Sequence, residues 1–427
     1  MIPVQIRVAF FLALRQIKRA NKSTTLLIVF IMTLTFLNLV VVNGILVGLI
    51  RGSYEQFRER YSGDILISPQ DRLESIESSQ SIINFAKGLN GIEAVAPRLV
   101  ATGAIRADLS RNPSGKESPN ESRGSIVGID PESEELVTGF SDMVLEGKSL
   151  TKNDAEGILI GANLIKEYSS FGDANFPGFT ILRGIKVGDR VRLTLSVPAG
   201  NGVFTTASKE FTVRGIIKSK VDQVSQRSFL LNSELRKLIG NTDLNLQEIA
   251  VNIQPEHLME GYYALSGFSD PSKVRVQLSA DAVPSFLRTI EQTFGVLGNA
   301  IGGIGLVVTS ITTFIVIFIN AVTRRKFIGI LKGIGIDAFA IELAYVFQAL
   351  FYGVVGSALG IIITFGFLVP LFEAKPLDFP FSDGILSATV SGALIRAGIL
   401  MFITLVAGYL PARMIVKKNT LDSILGR

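Results

Sequence analysis

Residues 23–50, STTLLIVFIMTLTFLNLVVVNGILVGLI, contain no charged side chain. An α-helix rises 1.5 Å per residue, so about 20 apolar residues cross a hydrocarbon core of about 30 Å, and this run is longer than that. A core helix of a soluble enzyme rarely exceeds about 20 residues and keeps a polar face; this stretch does neither. It is also too long for a cleaved signal peptide and lacks an Ala-x-Ala-like cleavage site. Three comparable runs crowd the last third of the chain, at 296–322, 338–372 and 385–410. This one-plus-three spacing predicts an α-helical membrane bundle of four transmembrane helices, with a large α+β extracytoplasmic domain between helices 1 and 2.

Orientation follows from the basic residues. Arg7, Arg15, Lys18, Arg19 and Lys22 precede the first run without one acidic residue. Arg324, Arg325, Lys326 and Lys332 lie between the second and third runs, and Arg413, Lys417, Lys418 and Arg427 follow the fourth against Asp422 alone. The loop between the third and fourth runs is acidic, with Glu373, Asp378 and Asp383 against Lys375. By the positive-inside rule, both termini and the middle loop face the cytoplasm. The chain then divides into a cytoplasmic segment 1–22, a span 23–50, an outer domain 51–291 and a second span 292–322. A cytoplasmic loop 323–337, a third span 338–372, an outer loop 373–384, a fourth span 385–410 and a cytoplasmic end 411–427 complete it. The expected location is the cytoplasmic (inner) membrane.

Composition excludes several functions. The chain carries a net charge of +5, but residues 51–291 hold 27 basic and 31 acidic side chains, a net of −4. The positive excess belongs to the membrane flanks, so no nucleic-acid partner is expected. Without Cys there are no disulfides or thiolate metal sites. His257 is the one histidine; it reads as a surface helix residue and rules out a His-rich metal site. Gly115-Lys116 is followed by Glu117, so no phosphate-binding G-x-x-x-x-G-K-[ST] stretch is present. Glu132, Glu134 and Glu135, after Asp130-Pro131, read as a solvated loop. No catalytic, metal or cofactor-binding residue is expected in this chain.

Strand-like segments in the outer domain lie at 63–68, 92–108, 124–129 and 157–160, with a period-two stripe through Val191, Leu193, Leu195 and Val197 partnered by 211–217. Helices are expected at 162–169, 233–239 and 255–265. The stretch 110–123, SRNPSGKESPNESR, reads as a polar loop. Residues 52–60 and 285–294 are polar but free of Pro, so they can prolong the first two spans as a stalk.

Two cytoplasmic stretches go further: 323–336, TRRKFIGILKGIGI, and 408–427, GYLPARMIVKKNTLDSILGR. The first has the pattern of a short amphipathic helix, with Ile328, Ile330, Leu331 and Ile334 toward the membrane and Arg324, Arg325, Lys326 and Lys332 in water. Gly329, Gly333 and Gly335 are expected to leave backbone open to a partner. Together the stretches resemble the coupling loop and terminal PAR signature of ABC transporter permeases of the MacB/FtsX superfamily. GIEAVAPRL (91–99), ILIGANLIKEY (158–168), KVGDRVRLTL (186–195) and EFTVRGIIKS (210–219) most resemble its lipoprotein-releasing LolC/LolE branch. Three departures stand out: Phe327 where such loops commonly carry an acidic residue, Thr420 where a Pro is usual, and a short 199–208 where a hook-like insertion would lie.

The resemblance implies a permease subunit of an ATP-driven mechanotransmission transporter that extracts or exports lipoprotein or another amphiphile. Its partners would be an ABC ATPase subunit that binds ATP and Mg, a second permease, the lipid bilayer, and a lipoprotein substrate or an extracytoplasmic partner. A MacB-like exporter of small molecules or peptides and an FtsX-like regulator of a cell-wall hydrolase are the alternatives. The ATPase-coupling residues would be Arg324, Arg325, Lys326, Phe327, Ile328, Gly329, Ile330, Leu331, Lys332 and Gly333. Leu39, Val42, Leu46, Val296 and Leu297 are candidate substrate contacts between the first two spans. Gly298 with Gly302, and Gly356 with Gly360, have the G-x-x-x-G spacing that lets helices pack closely, within the chain or against a second permease. Arg396, inside the fourth run, is expected to snorkel outward or to have a functional partner, and Glu342 to sit at the inner interface or meet the coupling loop.

Overall fold

The computed structural model describes residues 4–108, 119–169, 181–198, 204–240, 243–379, 382–384 and 386–417. Its principal helices are α1 (Val4–Lys18), α2 (Lys22–Ser62), α3 (Ser79–Lys87), α4 (Pro131–Thr138) and α5 (Asn232–Ile239). They continue with α6 (Leu258–Phe268), α7 (Ser285–Thr323), α8 (Arg325–Gly333), α9 (Ala338–Ala374) and α10 (Val390–Val416). The chain separates into a helical unit (1–50, 288–379 and 383–427) and a sheet unit (51–287 and 380–382).

Among the described residues, α2, α7, α9 and α10 are long and apolar enough to cross a bilayer. The amide of Ser23 donates to Asn21 Oδ1, which caps the start of α2, and the Thr389 side chain caps α10 at Gly392. The centre of the bundle is α9, whose buried face combines large side chains such as Tyr345 and Tyr352 with a row of small residues: Ala340, Ala344, Ala349, Gly353, Gly356 and Gly360. Hydrocarbon tails are as apolar as leucine, so burial in lipid gains little and close van der Waals packing of small residues has to hold helices together. Gly356 accordingly faces Met32 of α2, Gly360 faces Phe36, and Gly408 of α10 faces Ala349. Residues 52–60 and 285–294 are helical, within α2 and α7.

Within the sheet unit, α2 ends at Gly63, whose φ of +62° and ψ of −158° suit glycine almost alone. A Cβ there would lie 2.7 Å from Val251 O. The chain then enters β1 (Ile65–Pro69), followed by β2 (Ile92–Arg106), β3 (Glu121–Ile129), β4 (Val144–Gly147) and β5 (Gly157–Gly161). Strands β6 (Arg190–Pro198), β7 (Phe204–Ile217), β8 (Arg227–Leu231), β9 (Glu248–Ile253) and β10 (Val274–Leu278) complete the sheet. The first half of β2 pairs with β9, and beyond it β1 and β10 extend an antiparallel ladder. The second half of β2 pairs with both β3 and β6. The pairings β3–β8, β8–β5, β5–β7 and β7–β6 then close a ring of six strands, which leaves no free edge. The alternating side chains Val191, Leu193, Leu195 and Val197 point into its core beside Phe211 and Val213.

Several expectations are corrected. Residues 162–169 form only a short 3₁₀ turn, Ala162–Leu164, before Ile165 bridges to Leu182. Strand β3 begins at Glu121, not at 124, because β2 continues to Arg106 and pairs with it. His257 does keep the expected surface helix position: it ends a 3₁₀ helix, Pro255–His257, part-exposed and 3.2 Å from Glu260. Residues 109–118, with Gly115-Lys116, and 199–203 lie outside those described.

The Glu132–Glu135 segment is the helix α4, not a solvated loop, and Glu134 is buried. Its carboxylate takes a fork from Arg98, Nη2 at 2.6 Å and Nε at 2.9 Å. Arg98, 2% exposed, also donates to the Tyr61 carbonyl at 2.7 Å. Arg227 forks onto Glu248 at 2.8 and 3.1 Å, and the Tyr61 hydroxyl donates to the same carboxylate at 2.8 Å. Both guanidiniums lie over the Tyr61 ring, at 5.0 and 5.1 Å. Two guanidiniums and two carboxylates balance in charge, which is the condition for burying ions.

Burial by itself raises the Glu248 carboxyl, but the Arg227 guanidinium, its hydrogen bonds and Arg98 outweigh burial and hold it at about 2, against an ordinary 4.5. Below 4.5 the unfolded chain binds a proton that the folded one refuses until about 2. Stability from this group is therefore complete above 4.5 and is lost as pH falls through that window, by up to about 3 kcal/mol. Acid titration of urea melts should show this slope, and Glu248→Gln should flatten it; an unchanged slope in that variant would remove Glu248 as its source.

Candidate functional site

At the end of the bundle formed by the C-termini of α7 and α10, four helices meet in one apolar cluster. Ile317 and Ala321 come from α7, Ile341, Tyr345 and Ala349 from α9, and Ala412, Ile415 and Val416 from α10. Ile328 of α8 is buried in the same cluster and Leu331 packs against it. The two sequence stretches that suggested coupling, 323–336 and 408–417, are thus joined through side chains. Lys332 Nζ also donates to the Val416 carbonyl at 3.0 Å, supplying a proton donor and a positive charge to the end of α10. Residues 418–427, including Thr420, lie outside those described.

The apolar side chains of α8 divide between two faces. Ile328 and Leu331 turn inward, whereas Phe327, Ile330 and Ile334 are exposed by 67, 51 and 71%. At 100° per residue, four apolar positions at 328, 330, 331 and 334 span too wide an arc for one stripe. They divide instead into an inner pair three residues apart and an outer stripe that Phe327 completes. Lys326 is exposed, but Arg324, Arg325 and Lys332 are half-buried. Gly329 is buried, while Gly333 and Gly335 remain open. Glu342, in the first turns of α9, is 8% exposed, and among the described residues it makes no ion pair with α8. A short helix held by one face thus presents an apolar outer face next to positive charge.

Helix α1, over Val4–Lys18, was not among the expected elements. Its Ala9 and Ala13 are buried, its Phe10 ring meets Phe347 of α9 edge-on, and Gln5 Nε2 donates to Asp337 Oδ2 at 2.6 Å. Val4, Phe11 and Leu14 remain exposed beside Arg7, Arg15 and Lys18. The signal was present in the spacing of Ala9 and Ala13 along one face, and the uniform basic flank hid it.

A second feature lies nearer the other end of the bundle. Gly298 and Gly302 of α7 bring that helix against α2, where Leu46, Asn43 and Leu39 meet them. Leu39, Gly298 and Gly302 also line a cleft of about 450 Å³ shared by α2, α7 and α10. Val42 and Leu46 are half-buried on α2, and Val296 and Leu297 are exposed by 70 and 46%. Of the five candidate substrate contacts, Leu39 is thus buried, Val42 and Leu46 are half-buried, and Val296 and Leu297 are exposed. Gly356 and Gly360 lie against α2 of the same chain.

Residues 299–420 match the family described as FtsX-like permease C-terminal. Over 297 residues the chain is 29% identical to an uncharacterised ABC transporter permease of Methanocaldococcus jannaschii, covering 66% of this chain and 65% of that one. The match thus spans a little under two thirds of the relative's length. The periplasmic region of MacB from Actinobacillus actinomycetemcomitans is 16% identical, with a TM-score of 0.33, over 54% of this chain and 94% of that one. The extracellular domain of the noncanonic ABC-type transporter YknZ from Gram-positive bacteria is 14% identical, with a TM-score of 0.31, over 50% of this chain and 98% of that one. The fold described above rests on strand register, not on these scores.

Proposed function

From the likeness of residues 299–420 to FtsX-like permease C-terminal domains, we propose that this chain is the permease subunit of an ABC system. The observation that carries the reading is α8: one face is packed against α7, α9 and α10, and the other is an exposed Phe327–Ile330–Ile334 stripe. An apolar stripe of this size beside Lys326 suits a groove on a nucleotide-binding subunit, which would hold ATP and Mg. A large aromatic flanked by isoleucines is the composition of an interface anchor. Phe327 replaces an ion pair with apolar burial, so this chain would dock without the acidic residue usual in such loops.

In this reading, two permeases work with two ATPases in the cytoplasmic membrane, with both termini inside. ATP-driven closure displaces α8, and the cluster around Ile328 passes the displacement to α7, α9 and α10 without a covalent intermediate. The cargo is an amphiphile, such as a lipoprotein, taken from the outer leaflet. Leu39 and Leu46, beside Gly298 and Gly302, are the wall it would approach.

The test is purification of the tagged full chain from its native membrane in mild detergent, with mass spectrometry of what remains bound. Wild type should retain an ABC ATPase. Phe327→Asp and Ile330→Asp should lower that recovery about tenfold or more, since each places a charge in an apolar contact. A bound lipoprotein identifies the cargo, and a bound hydrolase or outer conduit instead redirects the reading to regulation or small-molecule export. Absence of any ATPase sinks the assignment.

A further inference from the structure

We propose that the cleft between α2, α7 and α10 is a binding site for the anionic headgroup of a membrane lipid, with Arg396 as its charge partner. The cleft has a volume of about 450 Å³ and is lined by Asn43, Asn299, Arg396, Ile395 and Ile399 among others. That is enough space for a headgroup and the start of its chains. No acidic side chain lines it. Among the described residues, Arg396 has no ion pair or hydrogen bond within the chain, although it is only partly exposed on a membrane-spanning helix. A lone guanidinium at such a place is costly unless an anion or water reaches it.

The walls are shaped for an anion. Arg396 Nη1 lies 2.9 Å from where a Cβ on Gly392 would be, so the guanidinium folds back along α10 through the space that glycine leaves. Gly298, Gly302 and Gly303 clear the opposite wall. Asn43 Nδ2 uses one hydrogen on the Leu39 carbonyl at 3.2 Å and has a second to give. Asn299 is exposed at the rim and brings two more amide hydrogens. Leu306, Ile395 and Ile399 supply apolar surface where acyl chains would begin.

The depth of the cleft points to a lipid. Counted from the helix ends Lys22, Thr323 and Val416, residues Asn43, Asn299 and Arg396 lie about 30–36 Å along their helices at 1.5 Å per residue. This equals a hydrocarbon core of about 30 Å, so three helices independently place their polar residues at the opposite headgroup level from the basic ends. A headgroup there can meet Arg396 while its chains stay in the bilayer. The inference rests on the membrane reading of the four helices and concerns the same cleft that the proposed cargo would approach, but it does not depend on ATPase coupling.

The experiment is native mass spectrometry of the full-length chain in detergent, titrated with phosphatidylglycerol, phosphatidylcholine or soluble glycerol phosphate. Wild type should retain phosphatidylglycerol in preference to phosphatidylcholine. Arg396→Gln should weaken that retention about tenfold or more, the loss expected for a charge-assisted hydrogen bond, and Arg396→Lys should keep part of it. Gly392→Val, which keeps the charge but fills the guanidinium's space, should weaken it as well. Circular dichroism verifies that each variant is folded. Equal retention of the two lipids, or retention unchanged in Arg396→Gln, overturns the proposal. Competition by glycerol phosphate at lipid-like concentrations replaces the lipid with a soluble anion, and loss of a dimer without loss of lipid assigns Arg396 to a second copy; either result overturns it too.

Discussion

Arg98→Met is expected to destabilise the sheet unit by about 3–5 kcal/mol, the cost of leaving a buried charge without its partner. Without Arg98, the buried cluster keeps the two carboxylates of Glu134 and Glu248 against the single guanidinium of Arg227, which pairs with Glu248, and so carries a net negative charge. Glu134 loses both of its Arg98 contacts, at 2.6 and 2.9 Å, and the Tyr61 carbonyl loses its donor. The double variant Arg98→Met/Glu134→Leu removes one charge of each sign and leaves the Arg227–Glu248 pair intact. It should therefore be more stable than the single variant, by about 1–4 kcal/mol if the apolar pair packs well. Pulse proteolysis of the full chain in urea, with fragments identified by mass, reports this unit apart from the membrane helices. A single variant as stable as wild type, or a double variant no better than the single, contradicts the charge-balance account.

The second large effect lies in the bundle. A Cβ built on Gly360 comes within 2.3 Å of Phe36 Cδ1, and one on Gly356 within 2.4 Å of Met32 Cβ, closer than packed carbons approach. Gly360→Leu must push α9 off α2, and lipid gives no hydrophobic return for the surface so exposed. The expected cost is about 1–3 kcal/mol or more, as for overpacked interiors. Gly360→Ala should cost less and should be partly relieved by Phe36→Leu, because ring and methyl compete for one space. Resistance to stepwise addition of denaturing detergent, followed by circular dichroism, measures both. Strict additivity of the two substitutions would show that the contact does not set the packing.

The part of the molecule that sequence reveals is the part governed by local composition. The apolar runs and the Val191–Leu193–Leu195–Val197 alternation were readable because burial in lipid or on one strand face imposes a period on neighbouring residues. The α8 segment was visible as an amphipathic helix, but which of its isoleucines pack inside the bundle was not. Which isoleucines turn inward depends on Ala412 and Tyr345, distant in the chain and brought to Ile328 only by the bundle. Gly356 and Gly360 showed that some helix packs closely, while their partner, α2, was not encoded in their spacing.

What the sequence by itself determined is the four helices long and apolar enough to cross a membrane, the mixed α+β character of the inserted unit and the lack of a G-x-x-x-x-G-K-[ST] stretch, because these depend on residues near one another in the chain. Tertiary structure alone decided the closed six-strand ring, the burial of Glu134, the outward stripe of α8 and the cleft that Arg396 lines together with Asn43 and Asn299. Glu134 looks solvated among its neighbours and is buried only because Arg98, in β2, arrives to neutralise it. A charge becomes structural through its spatial partner, and that partner is chosen by the fold.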